Sequence, residues 1–140
     1  MKYLLDINTL IALGHTAHVH HARALAWFQS VKKTSTGLCT CAITELGFVR
    51  VTVQTALQTD IPSARRALAL LKASSTIPVE MLPDAIGVDK LPAFAKTPNK
   101  LTDGHLLELA RHHGADPILQ PQRRGCVRRA HPLLLLGEFP

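Results

Sequence analysis

The 140-residue chain is 46% apolar and carries 16 Lys and Arg against 10 Asp and Glu, a formal net charge of +6. That length fits one domain with an ordinary buried core, the six aromatic residues favour aliphatic α/β packing, and no apolar run is long enough to span a bilayer. The basic excess favours an anionic partner such as nucleic acid, yet Arg123, Arg124, Arg128 and Arg129 fall within seven residues, and without these four the charge is +2.

Tyr3 to Asp6 reads as a buried strand that runs directly into the helical turn Ile7-Asn8-Thr9. A carboxylate is costly to bury without a partner, so Asp6 at the end of an apolar strand needs a reason. Ligands of open α/β sheets bind beyond the carboxyl ends of the strands, where Asp6 would suit a cation. It would equally serve as the cap of the following helix. The same charge interrupts what would be the apolar core of a signal peptide, which predicts a cytoplasmic protein.

His15, His18, His20 and His21 come next. No Cys or carboxylate in that run completes a structural-zinc spacing, so it predicts an exposed, solvated helix start. Ala22, Leu25, Trp27, Phe28 and Val31 then recur at helical spacing, closed by Lys32, Lys33 and Gly37. Leu38 to Cys41 fits a second strand. Cys39 and Cys41 share one of its faces and read as buried free thiols rather than a metal or redox pair.

Ile43, Leu46, Val49, Val53 and Leu57 predict a helix with that stripe as its apolar face. Glu45 lies in its first turns, just past the strand's carboxyl end, where the helix macrodipole also favours an acid. Pro62 opens another helix, with Ala64, Ala67, Leu68 and Leu71 inward and Arg65 and Arg66 solvated. Ile77 to Leu82 reads as a third strand, and Pro78 near its start argues for an edge or a strand-entry position. Asp84 to Phe94 reads as a helix start and connection, with Pro92 and Pro98 marking loops around it. Thr102 is read as the N-cap of a last helix, with Asp103 in its first turn, compensating the dipole or binding a cation.

Strands alternating with helices predict an α/β domain with a mainly parallel sheet, spanning residues 1–140 with an atypical basic stretch at 116–130. Successive helix starts then gather at one sheet edge, so Asp6, Glu45 and Asp103 could converge on one pocket. Carboxylates held close raise one another's pKa unless a cation neutralises them. Magnesium or manganese, which prefer oxygen ligands, suit such a cluster better than zinc. A site of that kind activates water and clamps a scissile phosphate.

Leu4-Leu5-Asp6-Ile7-Asn8, Thr44-Glu45 and Thr102-Asp103-Gly104-His105-Leu106-Leu107 resemble, in order and spacing, the three leading acidic motifs of PIN-domain ribonucleases. The length and the tail Leu133 to Pro140 are similar to VapC-type toxins of toxin–antitoxin pairs. The resemblance covers residues 1–116. It implies a three-layer α/β/α sandwich around a parallel sheet and a magnesium- or manganese-dependent endoribonuclease of the cytoplasm. It also implies a homodimer, an RNA substrate and inhibition by a cognate antitoxin protein. Asp6, Glu45 and Asp103 would be the metal ligands and catalytic acids, with Asn8 and Thr102 as polar groups that orient them.

The chain departs from that family after Ala115. A further strand ending in a fourth acid is expected there, but the acid's position falls near Pro121. Asp116 is at the wrong end of the segment, since five extended residues cover roughly 16 Å; Gln120 or Gln122 would supply only a neutral oxygen. A local frame change in the coding sequence, restored downstream, would produce such a patch, and resequencing the locus would test it. If authentic, the arginines either contact phosphates, as arginine-rich segments do on RNA, or form a solvated loop. The missing acid leaves open a catalytically impaired relative that binds antitoxin or RNA without cutting. A nuclease acting on DNA is a third reading.

Overall fold

A computed structural model of the chain describes residues 1–118. Strand β1 (Lys2–Leu5) is apolar and buried from Tyr3 to Leu5 because both of its faces are covered there. Tyr3 and Leu5 join a cluster containing Leu10, Trp27, Phe48 and Leu68, whereas Leu4 meets Leu106, Leu109 and Ala110, following the two-residue period of a strand. Helices α1 (Ile7–Gly14) and α2 (His21–Val31) follow, then β2 (Gly37–Thr40), α3 (Ala42–Gln54) and α4 (Ile61–Ser74). After β3 (Val79–Met81) a 3-10 turn at Val88–Lys90 leads to α5 (Pro98–His112) and β4 (Asp116–Ile118). With α1 to α4 contributing to one cluster and α5 to the other, the architecture is the three-layer α/β/α sandwich the sequence predicts.

All strand pairs are parallel, in the order β3-β2-β1-β4. The chain winds from β1 outward to β3. It then crosses the other face through α5 and returns to set β4 against the free side of β1. The winding direction therefore reverses between β1 and β4, and the crevice beyond the strand ends at such a reversal is where α/β sheets hold ligands. Asp6 stands there, its backbone N–H donating to the Ile118 carbonyl at 3.2 Å.

Several expectations need correction. In α2 the buried residues are Ala24, Trp27 and Val31, while Leu25 is 42% exposed. In α3 the fully buried residues are Thr44, Gly47, Phe48 and Thr52; of the expected stripe Val49 and Leu57 pack half-buried against the core, while Ile43 and Leu46 are exposed. The inner face of α3 accepts small and hydroxyl-bearing side chains because it lies close against α1; the Thr52 hydroxyl is satisfied by donating to the Phe48 carbonyl at 2.7 Å. Between Asp84 and Phe94 only the 3-10 turn forms, in a stretch bounded by Pro83 and Pro92. β3 does lie at an edge, directly after Pro78. The run of histidines is not a solvated helix start. His15 is buried, with Nδ1 3.0 Å from the Ile11 carbonyl and Nε2 2.9 Å from Gln58 Nε2, and His21 Nδ1 is 2.8 Å from the Ala12 carbonyl. These rings fasten the α1–α2 connection. Pro121, Gln120, Gln122, the four clustered arginines and the Leu133 to Pro140 tail lie outside the described residues. Among the described residues no helix is long and apolar enough to cross a membrane.

Candidate active site

The two readings of Asp6 hold together. It caps α1, with Oδ1 accepting from the Thr9 N–H at 2.8 Å, and it is only 6% exposed at the carboxyl end of the central strand. Glu45 lies in the first turn of α3, which follows the neighbouring parallel strand β2, so both acids belong to the same sheet edge. Its Oε1 accepts from the Thr40 hydroxyl at 2.6 Å and from Lys72 Nζ at 2.6 Å. Glu45 and Lys72 are both half-buried, so this ion pair is partly shielded from water.

Asp103 is half-buried in the second turn of α5. The helix starts earlier than predicted: Thr97 is the N-cap and Pro98 the first helical residue, so Thr102 is an exposed residue inside the helix and not its cap. Pro98 is preorganised for that first position by its fixed φ, which outweighs its reading as a loop marker. Because α5 runs back into the start of β4, its N-terminal half lies toward the edge occupied by Asp6. Gly104 seats this half of the helix: a Cβ there would come within 2.9 Å of Ala95 Cβ and 3.2 Å of Pro92 Cδ. One residue on, His105 Nε2 is 2.6 Å from Asp84 Oδ2, a second tie to the preceding loop.

Glu45 is held by two groups that the sequence did not single out, the Thr40 hydroxyl and Lys72. Lys72 left one signal in the sequence: it continues the four-residue spacing of buried Ala64 and Leu68 along α4. The pair lines a groove of about 900 Å³ between α3 and α4, together with Leu46, Ile61 and Met81.

The donor chemistry, carboxylate oxygens with no nearby thiolate ligand set, suits magnesium or manganese. Among the described residues, no three His, Cys, Asp or Glu side chains stand close enough to grip an ion, and Glu45 is engaged by Lys72. Asp116 pairs with Tyr3 in the sheet register, so it lies at the opposite end of the strands from Asp6 and cannot join this edge. Cys39 and Cys41 are buried free thiols, as expected. Burial, followed by the charge of Glu80, pushes the Cys39 thiol up to about 11.

Ribonuclease VapC38 of Mycobacterium tuberculosis is 38% identical to the chain over 116 residues, covering 79% of each. Ribonuclease VapC39 of the same organism is 35% identical over 119 residues, 81% of this chain and 84% of its own. This chain belongs to the VapC family of PIN-domain toxins. Ribonuclease VapC44 adds 36% identity over 120 residues, 81% of each chain. The crystal structure of M. tuberculosis VapC20, a toxin that cleaves the sarcin–ricin loop, matches with a TM-score of 0.56 at 14% identity, over 81% of this chain and 84% of that one. It shares the fold of this VapC-family chain. No family model matches the sequence.

Proposed function

We propose that this VapC-family chain is a magnesium- or manganese-dependent endoribonuclease acting as the toxin of a toxin–antitoxin pair. The observation that carries the reading is the buried carboxylate of Asp6 at the point where the sheet reverses its winding, in a chain whose relatives are ribonucleases. Asp6, Glu45 and Asp103 would hold the ion. When bound, it would supply positive charge at the scissile phosphate and make a coordinated water more acidic than bulk water.

The protein's own groups would do the rest. Thr9 fixes the Asp6 carboxylate through its N–H, and the α1 N-terminus adds partial positive charge beside it. Glu45 and Asp103 stand on helices from opposite faces of the sheet, so they would approach an ion at Asp6 from two sides. The net charge of +6 favours a polyanionic substrate. The apolar side chains along the α3–α4 groove, Leu46, Ile61 and Met81, are surface that a partner chain would cover. That surface supports an antitoxin or a second copy of the chain as a partner.

Incubation with single-stranded RNA and Mg²⁺ or Mn²⁺ tests the proposal. Cleavage that stops with a chelator and in Asp6→Ala is the expected result. Retention of RNA or antitoxin without product, with or without metal, would favour the catalytically impaired binder; the location of Asp116 away from this edge is the observation behind that second reading. Cleavage of DNA alone would favour a deoxyribonuclease.

A further inference from the structure

We propose that Lys72 is an internal counter-cation for Glu45 that competes with the divalent ion for this carboxylate. The inference rests on the metal-dependent reading above. Lys72 sits in the last turn of α4, 27 positions from Glu45 in sequence, and its Nζ is 2.6 Å from Glu45 Oε1. Thr40 donates to that same oxygen at 2.6 Å, and among the described residues Oε2 accepts no hydrogen bond. The pair is therefore built and half-shielded rather than a chance encounter of two surface chains.

Lys72 continues the row of buried Ala64 and Leu68. A lysine on that row is costly unless it has a partner, and Glu45 provides one. The pair also ties α3 to α4 along the groove that both residues line. Tying helices together would be a sufficient structural role for two residues that had no other duty. Glu45, however, is also one of the three acids proposed to take the metal. An ammonium in contact with a carboxylate opposes a doubly charged ion on the same group, because the two cations would then stand within a few ångströms of each other. Among the described residues no three-acid cluster is closed while Glu45 is held in this way. Metal capture then requires an exchange, in which Glu45 gives up Lys72, and the ammonium turns to solvent through the α3–α4 groove.

Calorimetric titration of Mn²⁺ into the metal-free full-length protein tests this without reference to cleavage. Lys72→Met keeps the apolar stem and removes the charge; it is expected to bind Mn²⁺ about tenfold more tightly than wild type. Lys72→Arg keeps the charge and is expected to stay near wild type. The gain should vanish when Lys72→Met is combined with Glu45→Gln. In the presence of a chelator Lys72→Met should melt earlier than wild type, and saturating Mn²⁺ should raise its melting temperature by more. Equal or weaker Mn²⁺ binding by Lys72→Met, with uptake still lost in Asp6→Asn, overturns the competition and leaves the metal reading standing. Absence of Mn²⁺ uptake in every variant overturns both.

Discussion

A Cβ added to Gly47 would lie 2.2 Å from Ile7 Cδ1 and 2.5 Å from Ile7 Cγ1, so α3 and the start of α1 touch at a point where only glycine fits. Ile7 follows Asp6 and Gly47 lies two residues after Glu45, so this contact sets the spacing between two of the candidate acids. Gly47→Ala should destabilise the protein by about 1–3 kcal/mol, overpacking outweighing the better helix propensity of alanine. Adding Ile7→Val, which removes the Cδ1 methyl, should restore part of that loss. Urea titration of the single and double variants measures the coupling; strictly additive losses would contradict the contact.

Thr40→Val removes the hydroxyl that donates to Glu45 Oε1 while keeping the shape of a residue that is 0% exposed. The expected cost is about 1.5–2 kcal/mol in chemical unfolding, the lower part of the range for hydrogen bonds to charged groups, because Lys72 remains. A neutral result would mean that Glu45 needs only the lysine.

Helix α4 carries a titratable cap. Asp60 Oδ1 accepts from the Ser63 N–H at 2.8 Å, and this bond, with the Ser63 hydroxyl second, lowers the Asp60 pKa. Its contribution is present above the unfolded carboxyl value of about 3.9 and is lost as pH falls through the lower folded value. Thermal melts should therefore separate wild type from Asp60→Ala at neutral pH, with the gap closing below about pH 3. A gap that widens on acidification would contradict the assignment.

Cys39 should be nearly inert toward alkylation in the folded protein. Its thiol rises from an ordinary 9.0 to about 11, which cuts the thiolate fraction at pH 8 about 100-fold, and it is 0% exposed. Iodoacetamide labelling with residue-level mass mapping should show Cys39 modified only after unfolding. Fast labelling in native buffer would mean that the sheet opens on the α5 side.

The sequence made the sheet legible because strands buried on both faces read as short apolar runs, and Asp6 stood out as the charge that ends one of them. The α3 helix misled for a physical reason. Apart from Phe48, its inner face is built from Thr44, Gly47 and Thr52, which a hydrophobic pattern does not register, while the apolar Ile43 and Leu46 are exposed. Thr102 was misplaced because Pro98 was taken for a loop when it begins the helix. Lys72 could not be paired with Glu45 from sequence, since their contact depends on how α3 and α4 pack.

The placement of β4 has a consequence for how this protein comes into being. Among the described residues one flank of strand β1 is completed by Asp116–Ile118, more than a hundred positions later, and the Ile118 carbonyl receives the backbone N–H of Asp6 itself. Pairing across so great a sequence separation is slow and must await the late segment. The sheet edge around Asp6 thus stays incomplete in a nascent copy until the chain has been made through Ile118.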